Sequence, residues 1–208
     1  MNKSQFPKIM ECFNKFDVDI SVSFGTDLYY YRLGTLEEIE ESILKQARLF
    51  HLNQSDEEIK QSTLYKRFLN DTQRFSNLDE LKGKCIPVYK ISMYSSDSKI
   101  IGHINKSLNK IPDIAIVSSF PSNLEITHIY AQKGLALKEY IETLGHSMDE
   151  VMVIGDSMND YSMLSMEFGA TVAMGNGMPE VKKIAKYITK SNEELGVAYF
   201  DSIIESMK

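Results

Sequence analysis

The chain has 208 residues, 43% hydrophobic and 25% charged, with a formal net charge of −6 from 29 acidic and 23 basic side chains. That length holds one ordinary domain or two small ones, and the composition is that of a globular protein with a sizeable core. The acidic balance, without a dense basic block, excludes nucleic-acid backbone binding as a main task, and Cys12 and Cys85, far apart and in no CxxC or Cys/His cluster, exclude a disulfide framework and a zinc site.

The opening Met-Asn-Lys-Ser-Gln-Phe-Pro lacks the apolar core of a signal peptide, and no apolar run approaches the roughly 20 residues of a membrane span. A cytoplasmic protein with no membrane partner is expected. In chain order, Phe6, Ile9, Met10 and Phe13 fall at helical spacing and predict a short amphipathic helix. Residues 18–24 alternate apolar and polar side chains before Gly25, and Leu28-Tyr29-Tyr30-Tyr31 follows Asp27, which reads as two strands joined by a turn. Thr35-Leu36-Glu37-Glu38 and Ser55-Asp56-Glu57-Glu58 are helix starts with acids in the first turn, the first helix running to about Leu49. After a break at Lys82-Gly83-Lys84, residues 86–94 read as extended, followed by a helix over 97–108 and strands over 114–118 and 124–129.

From Lys133 onward strands and helices alternate with short connections. Helices are predicted over 133–144, 159–168 and 179–185, and strands over 151–154, 171–174 and 187–189. Such alternation implies an α/β fold with a parallel sheet, covered by helices, whose ligands bind at the carboxyl ends of the strands.

Gly155-Asp156-Ser157-Met158-Asn159-Asp160 stands at such an end. Mg2+ prefers hard oxygen ligands and is usually held by one or two carboxylates plus a substrate phosphate. Asp156, leaving the strand, and Asp160, in the first turn of the next helix, could supply those oxygens directly or through water; Ser, Asn and Asp also serve as plain helix caps. Lys133-Gly134 opens the preceding helix, where a cation could neutralise phosphate charge. Ala173-Met174-Gly175-Asn176-Gly177 repeats the pattern of a strand end followed by a polar residue, although Asn between glycines also suits a simple turn. Three consecutive strand-to-helix junctions bearing Lys133, the Asp156/Asp160 pair and Asn176 point to one phosphate-and-metal site.

Lys133-Gly134-Leu135-Ala136-Leu137, the run GDSMNDYSML, the run AMGNGMPEVKKIAKYIT and residues 191–198 closely resemble the end of haloacid dehalogenase (HAD) superfamily phosphatases, most of all the Cof-like type IIB pattern. Asn123-Leu124-Glu125-Ile126 is similar to the last cap strand of that family. The resemblance implies an α/β fold, a HAD-like Rossmannoid parallel sheet, N-terminally incomplete, with an α+β cap domain. It implies a Mg2+-dependent phosphatase of small phosphorylated metabolites, such as sugar phosphates or phosphorylated cofactors. By that resemblance Lys133 is the phosphate-stabilising lysine, Asp156 the Mg2+ ligand and Asp160 a second acidic residue supporting the metal. Ser157, Asn159, Asn176 and Asn192 would bind phosphate or brace the site.

The family nucleophile is the first aspartate of a DxDG[TS] motif on an earlier strand, and no convincing copy occurs. Asp17-Val18-Asp19-Ile20-Ser21 fits as a string, but the preceding Cys12-Phe13-Asn14-Lys15-Phe16 reads poorly as a buried central strand and Ile20 replaces the glycine. Asp17 is therefore read as turn-to-strand entry, with Asp19 at a solvated edge. By the family's order, residues 1–34 would be a remnant of the N-terminal part of the core, 35–130 the cap that selects substrate, and 131–208 the C-terminal part of the core. Residues 151–154 would then lack a neighbour on one side, so a marginal, homo-oligomeric or fragment-complemented polypeptide, inactive alone, is expected. The alternative is a non-catalytic phosphate-binding or interaction protein. Tyr29 to Tyr31, Tyr89, Tyr94, His103 and His128 read as packing or surface residues, which leaves the substrate open.

Overall fold

A computed structural model describes residues 4–16, 18–24, 30–51, 53–75, 80, 87–119 and 121–206. The chain forms two compact units, Met1–Ile116 with Ser122–His128, and Val117–Pro121 with Ile129–Lys208.

The first unit is built on a six-stranded sheet of order β3-β2-β1-β4-β6-β5, made of β1 (Asp19–Phe24), β2 (Tyr30–Leu33), β3 (Thr72–Phe75), β4 (Val88–Tyr94), β5 (Ile114–Val117) and β6 (Asn123–His128). β4 runs antiparallel to both β1 and β6, which places Val22, Ile91 and Ile126 in one row and Ile20, Met93 and Leu124 in the next. Period-2 alternation puts these rows on one face. There α1 (Gln5–Phe13) contributes Phe6, Ile9, Met10 and Phe13, and α5 (Ser98–Leu108) contributes Ile104 and Leu108, to a single core. Each such side chain, once buried, is worth about 1.5–3 kcal/mol.

A second, smaller core joins α2 (Leu36–Arg48), α3 (Asp56–Gln61) and α4 (Thr63–Asn70) through Ile39, Ile43, Ala47, Ile59 and Tyr65. Thr35 and Ser55 each cap their helix reciprocally with a glutamate three residues on, Glu38 and Glu58. α4 and β3 have no counterpart in the sequence reading. The break at residues 82–84, like Asp17 and Tyr29, lies outside the described residues.

Residues 1–34 depart from their expected place. β1 is an interior strand, bonded to β2 and β4, and α1 packs on the same sheet, so this segment belongs to the six-stranded sheet and not to the sheet of residues 131–208. The cause is apolar matching: Ile20 and Val22 continue rows begun by Met93 and Ile91. Asp19 is accordingly half-buried in an interior strand, not at a solvated edge.

The second unit holds a three-stranded sheet of order β7-β8-β9, from β7 (Met152–Gly155), β8 (Ala170–Ala173) and β9 (Tyr187–Ile188), parallel throughout. Among the described residues β7 pairs only with β8. α6 (Lys133–Thr143), α7 (Tyr161–Leu164) and α8 (Pro179–Ile184) pack Ile141, Leu164 and Val181 with Val153, Phe168 and Ala173. The helix expected over 159–168 is shorter: a 3-10 turn over Met158–Asp160 leads into α7, and the chain leaves it so that Phe168 is fully buried and Gly169 N–H reaches Met148 O at 2.9 Å. A closing helix, α9 (Gly196–Ser206), sets Phe200 against Tyr187 at 5.6 Å between ring centroids. No helix among the described residues is long and apolar enough to cross a membrane.

Candidate active site

β7 ends at Gly155 and β8 at Ala173, and at these carboxyl ends lies a cleft of about 640 Å³ lined by Lys133, Asp156, Asp160, Asn176 and Asn192 over Ile154, Met163, Met174 and Val197. Parallel pairing of Gly155 with Ala173 brings the two loops that follow them side by side. Met178 N–H bonds to Asp156 O at 2.8 Å and joins those loops directly.

Asp160 is the hinge of the arrangement. Its side chain is buried, with one carboxylate oxygen 2.5 Å from Lys133 Nζ and the other accepting the Asp156 N–H at 3.0 Å and the Ser157 N–H at 3.5 Å. Gly155 makes this possible, because a Cβ there would lie 2.5 Å from Asp160 Cβ. Lys133 occupies the first turn of α6, where the helix dipole disfavours a cation, and the Asp160 carboxylate offsets that cost. Gly134 lets α6 approach closely: its N–H donates to Ser162 Oγ at 3.1 Å, and a Cβ would lie 2.4 Å from Ser162 O.

Asp156 is exposed to the cleft, and no donor among the described residues meets its carboxylate. With both Asp160 oxygens engaged, Asp156 is the open carboxylate of the pair. Ser157 and Asn159 do not line the cleft; Ser157 is buried, and its hydroxyl donates to Asn159 Oδ1 at 2.7 Å. Asn159 Nδ2 in turn donates to Ser119 Oγ at 3.1 Å. These two residues brace the loop by bonds to each other and to Ser119.

Asn176 and Asn192 meet across the cleft, the Asn192 N–H donating to Asn176 Oδ1 at 2.9 Å. The turn bearing Asn192 is held by Ser191, whose hydroxyl and N–H bond to Glu194 and keep that carboxyl below its ordinary range. Asp19 lies in β1 of the first unit and is not part of this cleft, and Asp17 is outside the described residues. The apolar lining of Met163, Met174 and Val197, and the contact of Ser119 with Asn159, were not read from sequence; methionines at helical and strand spacing carry only a core signal.

The sequence profile of the haloacid dehalogenase-like hydrolases matches residues 1–200. The 5-amino-6-(5-phospho-D-ribitylamino)uracil phosphatase YcsE of Bacillus subtilis (strain 168) is 41% identical over 102 residues, 49% of this chain and 41% of its own length. Phosphatase YwpJ of the same organism is 33% identical over 162 residues, 78% of this chain and 52% of its own length. The chain thus spans about half or less of the length of these curated relatives. A solved haloacid dehalogenase-like hydrolase from B. subtilis superposes with a TM-score of 0.77 at 27% identity, covering 96% of this chain and 70% of that one. A HAD subclass IIB sugar phosphatase superposes at 0.72 and 20% identity, covering 99% and 67%, a likeness of fold. With its parallel sheet, its α/β architecture and these matches, the chain belongs to the haloacid dehalogenase-like hydrolase family.

Proposed function

We propose that this chain contributes the metal carboxylate and the phosphate-neutralising lysine of a Mg2+-dependent phosphatase acting on small phosphomonoesters, such as sugar phosphates or phosphorylated cofactors, in the cytoplasm. The observation that carries the reading is one cleft in which the open Asp156 carboxylate lies beside a lysine held by a buried carboxylate, Asp160. The phosphatase relatives support the reaction class.

Mg2+ fits this donor set as an ion that takes one or two carboxylates and leaves other positions to water and a phosphate. Asp156 would hold it, and Asp160 would fix Asp156 through the backbone N–H bonds. When bound, the ion supplies Lewis-acid charge at the phosphoryl oxygens. Lys133 balances the remaining negative charge of the transferring group, and Asn176 and Asn192 orient it. The first unit serves as the cap that selects the ester.

Asp156 and Asp160 are the only carboxylates lining the cleft among the described residues. The proposed nucleophile is an aspartate of a DxDGT motif on a further parallel strand, paired to the open edge of β7.

The test is Mg2+-dependent hydrolysis of an aryl phosphate by the chain alone and after refolding with a DxDGT-bearing fragment. No turnover alone and turnover in the mixture, abolished by Asp156→Asn, is the expected outcome. A mixture that binds the fragment yet stays inactive turns the reading to a non-catalytic phosphate-binding protein. Activity of the chain alone, lost in Asp17→Asn, would place the nucleophile at Asp17.

A further inference from the structure

Residues 117–121 join β5 to β6 of the six-stranded sheet, yet they cluster with the second unit. One tie is the Asn159 Nδ2 bond to Ser119 Oγ, 3.1 Å across 40 residues of sequence. Asn159 is thereby engaged at both ends of its amide, since its Oδ1 accepts the Ser157 hydroxyl at 2.7 Å. A primary amide so bridged has one orientation, because its oxygen only accepts and its nitrogen only donates.

From this geometry we infer that Ser119 is a positioning residue for the Asp156 loop. Asp160 holds that loop from inside, through the N–H groups of Asp156 and Ser157. Asn159 holds the Ser157 side chain, and Ser119 holds Asn159 from outside. Removing the Ser119 hydroxyl leaves the amide free to turn, releases the Ser157 hydroxyl, and widens the range of positions open to the Asp156 carboxylate. Groups that orient a metal ligand commonly alter affinity by about 10–100-fold, and a group one bond further out, making one neutral hydrogen bond, alters it by about 3–10-fold.

This inference rests on the reading of Asp156 as a metal ligand, so the experiment has two arms. In the first, Mg2+ and Mn2+ binding to the whole chain is measured by calorimetry. Ser119→Ala weakens binding about 3–10-fold, Ser119→Thr, which keeps the hydroxyl, restores it, and Asp156→Asn abolishes it. In Asn159→Ala the further effect of Ser119→Ala on binding is smaller than in the unsubstituted chain, because the two share one bond. In the second arm, amide hydrogen exchange over residues 156–160 is followed without metal, and it quickens in Ser119→Ala but not in Ser119→Thr.

Unchanged exchange in Ser119→Ala, or additive losses in the double variant, would overturn the inference. If the unsubstituted chain binds neither ion, the metal reading falls by itself, and the exchange arm alone decides whether Ser119 positions the loop.

Discussion

Lys133 Nζ stands 2.5 Å from one oxygen of Asp160, and the other oxygen of the same carboxylate takes the N–H of Asp156 at 3.0 Å. One buried carboxylate thus sets both the lysine and the open aspartate of the cleft. The two partners are not equivalent, since the Lys133 side chain is 52% exposed and that of Asp160 only 7%. Asp160→Ala removes charge-assisted bonds from a buried site and is expected to cost about 2–3 kcal/mol, whereas Lys133→Ala should cost under about 1 kcal/mol. Urea unfolding read in the second unit by NMR separates them. Equal costs would mean that the lysine, not the backbone, holds Asp160.

Gly155 makes a sharper test of how the site is built. Its absent Cβ is the space that the Asp160 Cβ occupies, so Gly155→Ala must displace Asp160 and with it the Asp156 loop. A loss of about 1–3 kcal/mol is expected, as for other overpacked positions, together with loss of Mg2+ binding. Gly102, inside α5, has nothing within 4 Å of a built Cβ, so Gly102→Ala should raise stability by about 0.5–1 kcal/mol. Thermal melts of the two variants should move in opposite directions.

The glutamates of the reciprocal caps give an acid dependence whose sign is fixed. Glu38, Glu58 and Glu150 accept backbone N–H bonds from Thr35, Ser55 and Ser147, and Glu194 accepts the Ser191 hydroxyl, which holds all four carboxyls below their ordinary value of 4.5. A depressed pKa contributes stability that is complete above the unfolded value and is lost as pH falls through the folded one. Amide exchange at the starts of α2 and α3 should therefore be unchanged from neutral pH down to about 5 and show loss of protection below about 4, after correction for the intrinsic pH dependence. Glu38→Gln should flatten that response at α2 alone.

The last third was legible because its strands end in polar loops at regular spacing: Lys133, Asp156 and Asn176 were placed at three junctions and all three line one cleft. What the residues did not disclose was which groups are spent on one another. Asp156 and Asp160 look alike as letters, and only the geometry shows one open and the other engaged by Lys133 and two N–H groups. Residues 1–34 were given to the core by the family's order alone, because alternation over 18–24 reports a half-buried strand without naming its partner. The register of Val22 with Ile91 supplies that partner. α9 has no counterpart in the sequence reading, and Ser119 could not be found by spacing, since its partner lies 40 residues away.

The separation into two units predicts two responses to core truncation. Ile126 is fully buried in the row it shares with Val22 and Ile91, whereas Val153 is 4% exposed in the core of Ile141, Leu164 and Phe168. Ile126→Ala removes more buried volume and should cost about 2–5 kcal/mol, and Val153→Ala, a smaller deletion, about 1–3 kcal/mol. Hydrogen exchange locates each loss. Ile126→Ala should quicken the amides of β1, β4 and β6 while those of β7 and β8 keep their protection, and Val153→Ala should do the reverse. If each variant quickens both sheets alike, the chain unfolds as one cooperative body, and the two cores are coupled more tightly than their separate contact networks imply.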